Sequence, residues 1–338
     1  MRIVHLLLTS RFAGTERHVL ELAAAQAAEH DVTLVLRRDA MRDRPDAIAH
    51  RVDPRVRVEV VGNVLASLRA RRRVQRLRPD VAHGHLSGGC RALHGVTGCL
   101  RVATLHIEYK QRQHRALDGL IAIAPWQLDA IPGELRARSV QIDNWTLPRV
   151  PDREAAARLR SLHGIDDDVF LVGALGRVER SKGLDVLIDA FRSAGLANAR
   201  LAIVGQGREW EMLRRRAGDD VLMPGFAERP QDWLAAFDGF VSAARSEPFG
   251  LVLLEAMEAG LPIVASASQG ATHLARYLPP LVAIDDADAM AGALRGMVAG
   301  GRHRVAYVMD GFRIEAKLQQ IEAFYRDGMA RLRGGAPA

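Results

Sequence analysis

The chain has 338 residues, 48% of them hydrophobic and 26% charged, and a formal net charge of +7. That is a globular composition with a sizeable core, at a length comfortable for two domains, and no apolar run approaches a membrane-spanning helix. Two cysteines, Cys90 and Cys99, have no metal-ligand spacing around them, so a disulfide framework is excluded and a reduced, cytoplasmic setting is expected.

The charge is uneven. Residues 1–148 hold 23 Lys or Arg against 15 Asp or Glu, and the remainder holds 24 against 25. A basic first half predicts an anionic partner: membrane phospholipid, an acidic glycan or nucleic acid. Of the 47 cations, 44 are arginine, which fits GC-rich codon usage and leaves the asymmetry unexplained.

Arg2 to Leu8 reads as a buried strand, too short for a signal-peptide core. After the break at residues 9–15, Glu16 to Ala28 has helical spacing, with Val19, Leu20, Leu22 and Ala23 on one side. Asp31 to Leu36 is the next strand, which completes a Rossmann-type unit. G-x-G-x-x-G is missing, so no dinucleotide site is read. Arg55 to Val61 is a strand and Val64 to Leu77 a helix carrying Arg69, Arg71, Arg72, Arg73, Arg76 and the adjoining Arg78. Such a helix fits either a solvated face or one laid on an anionic membrane. Aromatics do not interleave with its arginines, so no nucleic acid is expected.

Strands Val81 to Gly84 and Val102 to Leu105 each run into histidine, at His83, His85 and His106. Three histidines near strand ends suggest zinc. The strands are separate, however, and no carboxylate or cysteine stands at ligand spacing, so no metal is expected. Leu117 to Ala124 and Val140 to Ile142 are further strands, with a short helix from Trp126 to Ala130 between them. Residues 147–152, with Pro148 and Pro151, read as an interdomain linker.

The second half opens with helix Arg153 to Leu162 and strand Phe170 to Leu175. Arg177 and Lys182 lie in the following loop, before helix Leu184 to Ala194. A forked guanidinium, a point charge and a helix N-terminus together suit a diphosphate. Strand Arg200 to Val204 ends in Gly205-Gln206-Gly207, where backbone can approach a flat base. Val221 to Met223 leads into Pro224-Gly225-Phe226, and a helix from Gln231 to Phe237 follows. Beyond residue 266, Gly270 to Tyr277 reads as helix and Leu281 to Ile284 as strand. From Asp286 onward the chain reads as helical, ending in a long helix from Phe312 to Arg331.

Residues 240–266 organise the rest. Phe240 to Ala243 is a strand, Gly250 to Ala259 a buried helix stopped by Gly260 and Pro262, and Ile263 to Ala265 another strand. The loop leaving such a strand faces the ligand crevice of an open α/β sheet. Glu247 and Glu255 interrupt this apolar run. With helical spacing throughout they would share a face about 12 Å apart, the reach from a sugar to a ribose across a diphosphate. Each carboxylate accepts two hydroxyl hydrogen bonds. A solvated Glu255 and a capping Glu247 are the plainer reading of such a pair.

Glu247-Pro248-Phe249-Gly250-Leu251, Glu255-Ala256 and Gly260-Leu261-Pro262-Ile263-Val264-Ala265 closely resemble the donor-site signature of family 4 glycosyltransferases. The resemblance is tight from Leu171 to Ser266 and looser before it. It implies a GT-B fold, two Rossmann-like domains facing across a cleft. These would be an acceptor-binding domain at 1–148 and a nucleotide-sugar domain at 149–311. A helix and short tail at 312–338 would cross back to the first domain.

The implied reaction is hexose transfer from a nucleoside diphosphate sugar to a glycan or lipid-linked acceptor, with retention and no metal or other cofactor. A UDP-sugar is the first expectation and GDP-mannose the second. By the same resemblance Arg177 and Lys182 hold the diphosphate, Glu247 the hexose and Glu255 the ribose. The backbone of Phe249, Gly250 and Leu251 lies near sugar and phosphate, Gly205, Gly207 and Gly225 lie by the base, and His106 touches donor sugar or acceptor. Ala13-Gly14-Thr15-Glu16 stands where the family has Gly-Gly-x-Glu, which puts Gly14 near the diphosphate or acceptor; a plain strand-to-helix turn reads the same way. Lipopolysaccharide or exopolysaccharide assembly on the inner face of a bacterial membrane is the expected context. The alternatives are a nucleotide-sugar epimerase or phosphorylase on the same fold, and a non-catalytic anion- or nucleic-acid-binding protein.

Overall fold

The computed structural model describes residues 1–148 and 150–334. Arg149, in the expected linker, and residues 335–338, in the expected tail, lie outside the described residues. The chain forms two compact units, Met1–Trp145 with Phe312–Ala338, and Thr146–Gly311.

In the first unit β1 (Arg2–Leu7), α1 (Gly14–Gln26), β2 (Asp31–Arg37), β3 (Arg57–Val61), α2 (Ala66–Leu77), β4 (Val81–His85) and α3 (Leu86–Ala92) come first. They are followed by β5 (Leu100–Leu105), α4 (Gln111–His114), β6 (Gly119–Ala122), α5 (Pro125–Asp129), α6 (Gly133–Ala137) and β7 (Val140–Gln141). All seven strands pair in parallel, in the order β3-β2-β1-β4-β5-β6-β7. Strands covered on both faces need continuous apolar sequence, and β1, β2 and β5 supply it. The chain leaves β1 toward β2 on one side and reaches β4 on the other, so the switch point lies between β1 and β4.

The second unit contains α7 (Arg153–Leu162), β8 (Phe170–Leu175), α8 (Leu184–Ala194), β9 (Ala199–Val204), α9 (Trp210–Arg216), β10 (Val221–Gly225) and α10 (Pro230–Ala236). Then come β11 (Gly239–Ser242), α11 (Leu251–Glu258), β12 (Ile263–Ala265), α12 (Gln269–His273) and α13 (Ala287–Ala299). Its five parallel strands run β10-β9-β8-β11-β12, with the switch point between β8 and β11. Its core includes Val172, Leu187, Ile188, Leu201, Val241 and Leu294, all essentially inaccessible.

Two expectations are corrected here. Residues 281–284 contribute one bridge, Ser266 to Val282, rather than a strand. Pro279 and Pro280 remove backbone donors just before it, and Asp285 turns the chain away at φ 62°. The chain is not helical throughout from residue 286. Gly300 and Gly301 end α13, and the following irregular segment is pinned by Val305 N–H to the Gly260 carbonyl (2.8 Å) and Tyr307 hydroxyl to the Leu261 carbonyl (2.9 Å).

The last helix, α14 (Ile314–Leu332), belongs to the first unit, where it packs on α1 and β5. Gly328 sits against Leu100, and Tyr325 is fully buried.

Candidate active site

In an open parallel sheet the strand carboxyl ends at the switch point leave room for a ligand. In the second unit β8 and β11 meet there, sending out the loops 176–183 and 243–250. Arg177, Lys182 and Glu247 line one hollow between them, together with Gly176 and Ser242. Lys182 closes a short 3-10 turn, Arg180–Lys182, and its ammonium is ion-paired to Glu247. Lys182 and Glu247 are largely buried, while Arg177 is 63% exposed and rests on Glu179 at 3.0 Å. A charge so exposed can swing to an incoming anion at little cost.

The two loops are locked together. A Cβ at Gly183 (φ 61°) would run into the Ala243 carbonyl, so only glycine permits the approach that brings Lys182 to Glu247. Arg245, a residue that sequence reasoning missed, completes the lock. It binds Asp185 bidentately at 2.8 Å, Asp285 at 2.6 Å and the Arg180 carbonyl at 2.9 Å. These bonds hold the Asp185 carboxyl below its usual range and the Arg245 guanidinium above its own. An arginine in a switch-point loop, with an aspartate in the first turn of the facing helix, was the available clue.

Gly250 caps α11 at φ 93°, and its N–H donates to Glu247 at 3.3 Å. Glu247 therefore stands in a loop that the helix does not continue, so the assumption of helical spacing from Glu247 to Glu255 is corrected. Glu255 lies in α11, half-buried, and is not among the residues lining the hollow. Leu251 is the first residue of α11, and Phe249 is buried with its ring against His273 at 5.6 Å. Gly205 and Gly207 have a reason internal to the fold: a Cβ on either would meet the carbonyl of Gly176 or Val178. The Gly205 N–H also donates to Gly225 at 2.8 Å, which ties all three glycines to the Arg177 loop.

Gly14 is the exposed first residue of α1, in the first unit, and Glu16 caps that helix by accepting from the Ala13 N–H at 3.1 Å. His106 follows β5 and is 9% exposed. The expectation that separate strands keep the histidines apart is corrected by the sheet order. His5 on β1 lies beside His83 on β4, and His85, two residues on, faces the same way. Ring nitrogens of His5, His83 and His85 all lie within 4.8 Å of one another. They are already engaged: His5 Nδ1 with His85 Nε2 (3.0 Å), His5 Nε2 with Gln26 (2.7 Å), and His83 with Tyr325 (2.6 Å) and Thr104 (2.8 Å). His85 Nδ1 meets His106 Nε2 at 3.0 Å. The rings of His83 and His85 stack at 4.2 Å.

His18 joins the group, edge-on to His106 at 5.0 Å and stacked on Trp145 at 4.0 Å, whose indole N–H donates to Glu21 at 2.9 Å. Burial lowers His5 to about 4 and His106 to about 3, and it holds His18, His83 and His85 well below 6.5. All five are neutral imidazoles at pH 7. Burial likewise pushes the Cys90 thiol up to about 12 and Cys99 to about 11, so neither is a ready nucleophile.

On α2, Arg69, Arg72 and Arg76 are exposed, and Val64, Leu65 and Leu68 beside them are 71%, 66% and 39% exposed. Arg73 instead pairs with Glu59 at 3.1 Å, and Arg71 is half-buried against Gly95, so the five arginines do not share one face. Among the described residues, no helix is long and apolar enough to cross a membrane.

Two family models match the chain, Glycosyltransferase Family 4 over residues 12–173 and Glycosyl transferases group 1 over residues 166–299. Among curated relatives, the lipopolysaccharide core biosynthesis mannosyltransferase LpsB of Rhizobium meliloti is 30% identical over 49% of this chain and 54% of its own. The phosphatidyl-myo-inositol mannosyltransferase of Mycolicibacterium smegmatis is 33% identical over 58% of this chain and 52% of its own. The chain thus spans about half the length of these relatives. Anabaena Alr3699/HepE, solved in complex with UDP and glucose, has the same fold: TM-score 0.77 at 20% identity, over 95% of this chain and 98% of that one.

Proposed function

We propose a reaction for this chain, which belongs to the group 1, family 4 glycosyltransferases and has the GT-B fold: transfer of a hexose from a nucleoside diphosphate sugar to a hydroxyl of a glycan or lipid-linked acceptor. The observation that carries it is the meeting of Arg177, Lys182 and Glu247 at the switch point of the second unit. The bond from C1 to the phosphate oxygen breaks, the acceptor oxygen bonds to C1, and the acceptor proton leaves on the diphosphate. Arg177 and Lys182 neutralise charge building on that diphosphate, electrostatic work of the kind a metal does elsewhere. Glu247 accepts hexose hydroxyls, Glu255 the ribose hydroxyls, and His106 meets the sugar or acceptor. Gly14 lies near the diphosphate or acceptor, the backbone of Phe249, Gly250 and Leu251 near sugar and phosphate, and Gly205, Gly207 and Gly225 by the base. Retention follows from same-face attack.

Two observations bear on the donor. The Anabaena structure holds UDP and glucose, which supports a UDP-sugar, and the two curated relatives are mannosyltransferases, which supports GDP-mannose. The relative in lipopolysaccharide core biosynthesis supports an envelope glycan as product. The exposed arginines and aliphatics of α2 favour peripheral contact with an anionic inner membrane face. Thermal-shift screening against UDP-, GDP- and ADP-sugars, with and without EDTA, tests the reading. One donor class is expected to raise the melting temperature and to release its nucleoside diphosphate with an acceptor extract. Stabilisation by none of them would refute it.

A further inference from the structure

The first unit contains an unbroken line of hydrogen bonds through four side chains: Gln26 Oε1 to His5 Nε2 (2.7 Å), His5 Nδ1 to His85 Nε2 (3.0 Å), and His85 Nδ1 to His106 Nε2 (3.0 Å). His5, Gln26 and His85 are completely inaccessible, so water cannot substitute for any of these partners. A neutral imidazole donates from one nitrogen and accepts at the other. Such a line therefore has only two consistent directions, and its buried end chooses between them. The Gln26 amide is turned with its carbonyl toward His5 and its NH2 without a hydrogen bond, and in that orientation the buried end can only accept. It requires N–H at Nε2 of His5, which leaves Nδ1 to accept from Nε2–H of His85. The Nδ1 of His85 then accepts from Nε2–H of His106.

We infer that Gln26, His5 and His85 are positioning residues that hold His106 as its Nε2–H tautomer, with a bare Nδ1 lone pair as the acceptor offered to a hydroxyl. Among the described residues, Nδ1 of His106 makes no hydrogen bond, so that lone pair is uncommitted within the chain. The inference rests on the reading of His106 as a group that meets sugar or acceptor. Under it, this point of the site selects a substrate group that donates a hydrogen bond. It rejects one that can only accept, such as a fluorine replacing the hydroxyl. His106 is neutral and supplies no cation to the leaving diphosphate. That role stays with Arg177 and Lys182.

Nitrogen-15 NMR of the histidine-labelled full chain reads the tautomer directly, with no substrate present. His5, His85 and His106 are expected as Nε2–H forms. Nδ1–H at His106 in the wild type would overturn the proposal, because it means the line runs the other way. Bound metal found by elemental analysis of the purified protein would overturn it too, since a cation would replace the His5–His85 bond. Gln26→Glu keeps an acceptor at the buried end and is expected to keep the tautomer. Gln26→Met removes the acceptor, and is expected to mix the two forms at His106 and lower kcat about tenfold, the loss of one well-placed hydrogen bond. Thr104→Val removes only the side bond to His83 and controls for loosened packing, so its His106 spectrum should match wild type. An unaltered His106 spectrum in folded Gln26→Met would refute the chain of control. Failure of the glycosyl-transfer reading would show separately, as no nucleoside diphosphate released by wild type from any donor.

Discussion

Acidification from about pH 7.5 to about pH 5 is expected to strip roughly 4 kcal/mol from the first unit through His5 and His106 alone. Both are buried and held neutral, His5 at about 4 and His106 at about 3, against 6.5 when exposed. A base whose folded pKa is depressed stabilises the fold above its unfolded value and loses that contribution as pH falls toward the folded one. Below 6.5 the unfolded chain binds protons that the folded chain refuses, at about 1.4 kcal/mol per pH unit per group, or about 2 kcal/mol each by pH 5. His18, His83 and His85 act in the same direction. Charging one ring makes the next harder to charge, which keeps the folded chain's proton uptake low and leaves the losses near their sum at pH 5. Most carboxylates stay ionised in this window, which isolates the histidine effect. For a unit of this size 4 kcal/mol corresponds to a fall of about 8–16 °C in melting temperature. Differential scanning calorimetry across the range, on wild type and on His5→Phe, reads it. A shift under about 2 °C in wild type would show that the rings are not held neutral and would refute the reasoning.

Three further outcomes follow from the second unit and from α2. Lys182→Ala is expected to lower kcat on the order of a hundredfold with little change in KM, whereas Glu255→Ala weakens nucleoside diphosphate binding about tenfold. Kinetics unchanged in both variants would contradict the site assignment. Arg245→Ala strips Asp185 and Asp285 of their partner, and at 20% exposure should cost about 1–2 kcal/mol, with raised KM because the Glu247 loop loosens. Equal melting temperature and KM would remove Arg245 from the lock. Replacing Arg69, Arg72 and Arg76 by alanine should weaken sedimentation with anionic vesicles but leave neutral vesicles unaffected. Equal sedimentation on both would refute the membrane face.

The fold could be read from local pattern because both units use apolar strands alternating with helices, a code carried within each element. The 240–266 crossover shows this: its strand, helix and strand fall at β11, α11 and β12 within one or two residues. Arg177, Lys182 and Glu247 were legible for the same reason, each being in a loop that leaves a strand end. The histidine line was not, because it depends on which strands are neighbours. His5 reads locally as one polar letter in an apolar strand, and Gln26 as a helix residue. Only the order β1-β4-β5 places them in one row with His106. The alternation of His83 and His85 was the visible trace, since residues two apart in a strand face one way. The 281–284 segment failed for the opposite reason: its local apolar pattern was real, but the prolines on one side and the turn at Asp285 on the other leave it room for a single bridge.

Tyr325 is supplied by the last helix of the chain to the innermost layer of the first unit, where its hydroxyl meets His83. A ribosome therefore releases the seven strands of that unit long before it makes the side chain that seals them. At cellular translation speeds the interval is on the order of tens of seconds. Throughout it the second unit can fold to completion, while its elder neighbour waits with a gap beside His83. Loss of a few C-terminal turns would consequently injure the beginning of the protein rather than its end.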